Sequence, residues 1–105
     1  MSVPNLLKTV TVTHPETGVG LSFQVNAALD FKELTDELSR SFEFPGGDVI
    51  TVDKPALMAG KPNIYGIPGG GSMRIIDLGG AVHYIPYGWL RLKWSPRPGF
   101  PTVAF

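Results

Sequence analysis

The stretch Asp30-Phe31-Lys32-Glu33-Leu34-Thr35-Asp36-Glu37-Leu38-Ser39-Arg40-Ser41-Phe42 decides how the chain is read, because its apolar residues fall at helical intervals. Phe31, Leu34, Leu38 and Phe42 recur every three or four positions, while Lys32, Glu33, Asp36, Glu37 and Arg40 take the opposite side. Asp30 is a capping residue type, Glu33 three positions on completes a capping box, and Leu29 with Leu34 suits the flanking hydrophobic staple. Pro45-Gly46-Gly47 ends the run. The pattern predicts an amphipathic helix over residues 30–43, packed by its apolar face on a sheet.

Working outward, residues 9–13 alternate Val10 and Val12 with threonines, and residues 19–25 alternate Val19, Leu21, Phe23 and Val25 with smaller or polar residues. Both read as half-buried strands. The connector His14-Pro15-Glu16-Thr17-Gly18 places Pro where a turn needs a fixed φ and Gly where a left-handed residue follows, so a hairpin is expected. Val49 to Val52 reads as a third strand, residues 55–72 as a long Gly/Pro-rich loop, and Met73 to Leu78 with Val82 to Ile85 as a pair of strands around Gly79-Gly80. Trp89 to Trp94 is the last strand, and Pro96, Pro98 and Pro101 stiffen an extended tail.

The expected fold is therefore a small β-rich α+β domain, one helix on a mostly antiparallel sheet, over residues 1–95. Residues 96–105 form a proline-rich C-terminal arm. The order hairpin, helix, strand across residues 9–53 resembles the ubiquitin-like β-grasp, and that resemblance implies topology alone.

At 105 residues the chain holds one modest core, and 43% hydrophobic against 17% charged residues is enough apolar content to fold. Nine basic residues balance nine acidic ones, which removes the broad positive field that nucleic acid or an anionic membrane would need. With no cysteine, disulfides, thiolate catalysis and Cys-ligated metals are excluded. No signal-like segment opens the chain and no run of about 18 apolar residues occurs, so a cytoplasmic or virion location is expected, without membrane insertion.

Three motifs invite chemistry. Gly69-Gly70-Gly71-Ser72 could cradle a phosphate, but no Gly-Lys-Ser/Thr follows and a strand rather than a helix comes next, so a turn or intersubunit contact is the simpler expectation. Ser72, Asp77 and His83 have the residue types of a hydrolytic triad without a nucleophile elbow around the serine. His14 and His83 lack metal-ligand spacing, and no cofactor is expected.

The aromatic and basic segment Tyr84 to Trp94 is the most informative. Strand parity assigns Leu90, Leu92 and Trp94 to the core and leaves Trp89, Arg91 and Lys93 outside. Aromatic residues and arginine are enriched at protein interfaces, so Trp89, Arg91, Lys93, Tyr87, Phe100 and Phe105 are the candidate partner-binding residues. The expected partner is a protein or a second copy of the chain, not nucleic acid.

His14-Pro15-Glu16-Thr17-Gly18 and Arg97-Pro98-Gly99-Phe100 resemble loops of the chagasin-type cysteine-protease inhibitors. That family is all-β with differently spaced loops, and a helix over residues 30–43 has no place in it. The expected function is thus a non-enzymatic interaction or structural module of a larger assembly, such as a virion accessory or capsid-cement protein. An inhibitor of a partner's site and a small hydrolase using Ser72 and His83 are the alternatives.

Overall fold

The computed structural model describes residues 6–61 and 69–98. Among these residues nine strands follow one another: β1 (Leu7–Thr13), β2 (Gly20–Asn26), β3 (Lys32–Glu33), β4 (Glu37–Glu43), β5 (Val49–Asp53), β6 (Pro55–Gly60), β7 (Met73–Asp77), β8 (Val82–Ile85) and β9 (Arg91–Pro96). No helix occurs among the described residues, and the fold is all-β, not α+β. The β-grasp topology, which needs that helix, goes with it.

The segment expected to be helical forms β3, a turn and β4. Leu34 to Glu37 make the turn, with the Glu37 amide donating to the Leu34 carbonyl at 3.0 Å, and the Leu34 amide donates to Ala56 across the sheet. After a register shift between Glu37 and Ser39, the burial repeats every second residue. Arg40 and Phe42 are buried, and Ser39, Ser41 and Glu43 lie on the other side. Glu37 and Arg40 had been assigned to a solvated helix face, yet both are buried as a mutual pair, and Leu38 is 37% exposed. Asp30 caps nothing and Glu33 pairs with Leu57 in the sheet.

All pairings are antiparallel, in three sheets: β1-β2, β3-β6-β7-β8 and β5-β4-β9. The hairpin β1-β2 forms as its alternation requires, with Leu7 opposite Asn26 and Thr13 opposite Gly20, and Gly18 supplies the left-handed turn residue at φ 76°. Residues 55–60, read from sequence as the start of a long loop, are instead β6 at the centre of the four-stranded sheet.

Around β6 and the middle of β7 that sheet is buried on both faces, as consecutive residues of β7 make plain. Ile76 joins Val12, Val25, Ala56 and Leu57 in one cluster under the hairpin. Its neighbour Ile75 joins Phe42, Val52 and Ile85 in a second cluster beneath β5-β4-β9. Near-continuous burial is what a sheet covered on both sides demands, and it explains why Pro55-Ala56-Leu57-Met58-Ala59 shows no two-residue period. The chain passes between the two larger sheets at Lys54, which has φ 50° before a proline. This corner is pinned from both sides, the Lys54 amide donating to Leu38 at 2.7 Å and its carbonyl accepting from Leu78 at 2.9 Å.

Candidate functional site

Strand β9 pairs with β4 so that Arg91 faces Glu43, Leu92 faces Phe42, Lys93 faces Ser41 and Trp94 faces Arg40. Parity then puts Arg91 and Lys93 on the outward side of β5-β4-β9, as expected from sequence, and both are exposed. Arg91 Nη1 stands 3.9 Å from Glu43 Oε2, a loose surface pair of little energetic weight. Around them the outward face is small and polar, with Ser41 Oγ 3.0 Å from Thr51 Oγ1 and with Val49 54% exposed at one edge.

Leu92 faces the second cluster as that parity requires, but the reading does not hold for the two residues before β9. Trp89 precedes β9 rather than belonging to it, and it is half-buried against the second cluster, its ring edge-on to Phe42 at 5.6 Å. Leu90, expected in the core, is 61% exposed. Trp94 points inward but lies at the margin of the sheet, 38% exposed, with the Arg40 guanidinium 5.9 Å from its ring centre. Tyr87 is exposed. Phe100 and Phe105 lie outside the described residues, and of the arm expected over 96–105, Pro96 ends β9 and Arg97 is buried.

The glycine cluster is explained by Trp89. Trp89 Nε1 donates to the Gly71 carbonyl at 2.8 Å, the Gly70 amide donates to the Trp89 carbonyl at 2.8 Å, and Gly88 donates back to Gly70 at 2.7 Å. A Cβ on Gly69 would stand 2.7 Å from the Gly88 carbonyl carbon, and one on Gly70 would enter the indole. The glycines permit close approach of two backbones, and at least the Gly70 amide is engaged rather than free for an anion.

Of the triad residue types, two meet and the third does not. His83 Nε2 lies 2.8 Å from Asp77 Oδ2, while Asp77 Oδ1 accepts from the amides of Gly79 and Ala81 at 2.9 and 3.0 Å. Burial raises the Asp77 pKa, but the hydrogen bonds from His83, Ala81 and Gly79 outweigh it and hold the carboxyl below its ordinary range. Ser72 precedes β7 whereas Asp77 ends it, a span of about 16 Å along an extended strand. The pair closes the β7–β8 turn and has no serine within reach. His14 accepts the Glu16 amide on Nδ1 at 3.1 Å, a turn contact.

Sequence reasoning missed two buried arginines. Arg40 binds Glu37 through Nε at 2.9 Å and Nη2 at 2.6 Å, and Nη1 reaches Met58 Sδ at 3.2 Å. Arg97 donates from Nε to the Thr35 carbonyl and from Nη1 to Glu16 Oε1, both at 3.0 Å, leaving Nη2 buried without a partner among the described residues. The Arg97 hydrogen bond, then the nearby Lys54 charge, pull the Glu16 pKa down. This clasp joins the tip of the β1–β2 hairpin to the end of β9, two places that nothing in their sequence separation brings together.

Among the described residues no cluster of three or more His, Asp or Glu side chains could hold a metal ion, and no helix is long and apolar enough to cross a membrane. No family model, curated protein or solved structure matches this chain.

Proposed function

We propose that this protein is a non-enzymatic interaction module of a larger assembly, docking on a protein partner or a second copy through the outward face of β5-β4-β9. The supporting observation is the composition of that face. Serines 39, 41 and 95 make a low, flat centre, Arg91 and Lys93 stand above it, and Val49 offers apolar area at the edge. Glu43 and Asp53 share the face with these two cations, so its charges are mixed, and a shallow partner surface that presents both signs suits it. Five ionisable groups elsewhere serve structure: Asp77 and His83 close a turn, Glu37 and Arg40 neutralise each other, and Arg97 clamps the hairpin. A virion accessory or capsid-decoration protein is the specific form of this reading.

The test is the doubly reversed variant Arg91→Glu/Lys93→Glu, made in full-length protein. Light scattering and co-purification from the native source should show loss of the oligomer or of the one partner retained by the wild type, with an unchanged melting temperature. Retention of that partner by the variant, or a monomer with no partner in either case, rejects the reading.

A second reading, an inhibitor that occupies a partner's site, is favoured by the Arg97–Glu16 contact. It brings Glu16 of the first chagasin-like fragment to Arg97, the residue at which the second begins, within a fold that is all-β. Titration of a papain-like protease with the protein would distinguish it.

A further inference from the structure

Where β6 and β7 leave the four-stranded sheet, a cavity of about 380 Å³ opens between the sheet and the end of the hairpin. Its floor is set by strand register. Ala59, Arg74 and Tyr84 stand side by side across β6, β7 and β8, and the small alanine leaves room beside the two long side chains. Lys61 and Ser72 close one end, where the Lys61 amide donates to the Ser72 carbonyl at 2.8 Å, and Asn26 comes from the end of β2.

The polar lining is rich in donors. Lys61 and Arg74 bring two positive charges, Ser72 and Tyr84 bring hydroxyls, and no carboxylate lines the cavity among the described residues. The Asn26 Oδ1 already accepts the Ala28 amide at 2.9 Å, so what this side chain has left to offer is its NH₂. Neither cation makes an ion pair among the described residues, and the neighbours of Arg74 across the sheet, Ala59 and Tyr84, are neutral. Two uncompensated cations in one concavity, on a chain of net charge zero, make a local site for negative charge. Leu29 and the Tyr84 ring add apolar wall, which a bare inorganic ion would leave unused.

We propose that this cavity binds a small organic oxyanion, a carboxylate or phosphate carried on a compact apolar or aromatic body. Arg74 and Lys61 hold the charged end and Tyr84 and Leu29 flank the body. The volume lies at the lower end of the range of small-molecule sites. This site is on the four-stranded sheet and is separate from the docking face proposed above.

Phenyl phosphate and benzoate, titrated into full-length protein and followed by amide chemical shifts, test it, with benzyl alcohol as the uncharged control. Both anions should bind, with shifts centred on residues 59–61 and 72–74, while benzyl alcohol does not. Because Arg74 is exposed, Arg74→Gln should keep the wild-type melting temperature and weaken anion binding roughly tenfold, the usual worth of a charge-assisted hydrogen bond. Lys61→Gln should weaken it in the same direction, and added salt should do so in the wild type. No binding at millimolar concentration, equal binding of benzyl alcohol, binding unaffected by Arg74→Gln, or capture of an acidic peptide but neither small anion would each overturn the proposal.

Discussion

The indole of Trp89 occupies the space that a side chain at position 70 would need, and Gly70 and Trp89 are tied there by a 2.8 Å backbone hydrogen bond. Gly70→Ala should therefore lose about 1–3 kcal/mol, the usual cost of forcing extra volume into a packed site. Gly80→Ala is the comparison: it has φ 89° but open space, so only the backbone strain of roughly 1 kcal/mol applies. Urea denaturation of both variants measures the difference. Equal losses would mean that Trp89 yields freely.

Phe42→Ala and Leu38→Ala separate the strand from a helix over the same residues. Phe42 is fully buried in the second cluster and should lose about 3–5 kcal/mol. Leu38, 37% exposed, should lose far less, whereas on a helix both would lie on the buried face. Thermal and urea melts of the two variants provide the check.

Removing one member of the Glu37–Arg40 pair leaves the other charged and buried. Arg40→Met should destabilise by about 3–5 kcal/mol, and adding Glu37→Leu to it should recover much of that loss, because the orphaned charge then disappears. A double variant as unstable as the single one would show that the pair matters for its hydrogen bonds beyond its charge. Equilibrium unfolding of the three proteins gives the cycle.

The Asp77 carboxyl, held below its ordinary value of 3.8, makes stability depend on pH in a definite direction. A depressed folded pKa stabilises the fold above the unfolded value and loses that stabilisation as pH falls through the folded value. The gap in melting temperature between wild type and Asp77→Asn should be largest well above pH 3.8 and should close below it. Melting curves across this range test it. A gap that widens in acid would contradict the assignment.

The hairpin was legible because Thr9–Thr13 and Val19–Val25 alternate without interruption and Pro15 and Gly18 specify the turn. Residues 30–43 were not. Their two-residue period runs through Arg40, and a charged residue is ordinarily scored as exposed, so the buried partner that neutralises it has to be known before the period can be seen. At the last strand the parity was right from Arg91 onward and failed at Trp89 and Leu90, which belong to the preceding loop. Arg91 and Lys93 were thus placed on the outward face from sequence alone. The Arg74–Tyr84 row needed the register of three strands, information that no local pattern carries.

Strand β4 is bonded to β5 on one side and to β9 on the other, and the two neighbours reach it at very different moments of synthesis. Residues 37–53 leave the ribosome as a ready hairpin, but residues 91–96 follow only about forty residues later. Until they arrive, β4 has an open backbone edge and a Glu37–Arg40 pair still bathed in water. The nascent chain is therefore most vulnerable to joining its neighbours edge to edge in the interval between those two events. Pairing of β9 ends that exposure, and Arg97, the next residue along, closes on Glu16 as the latch.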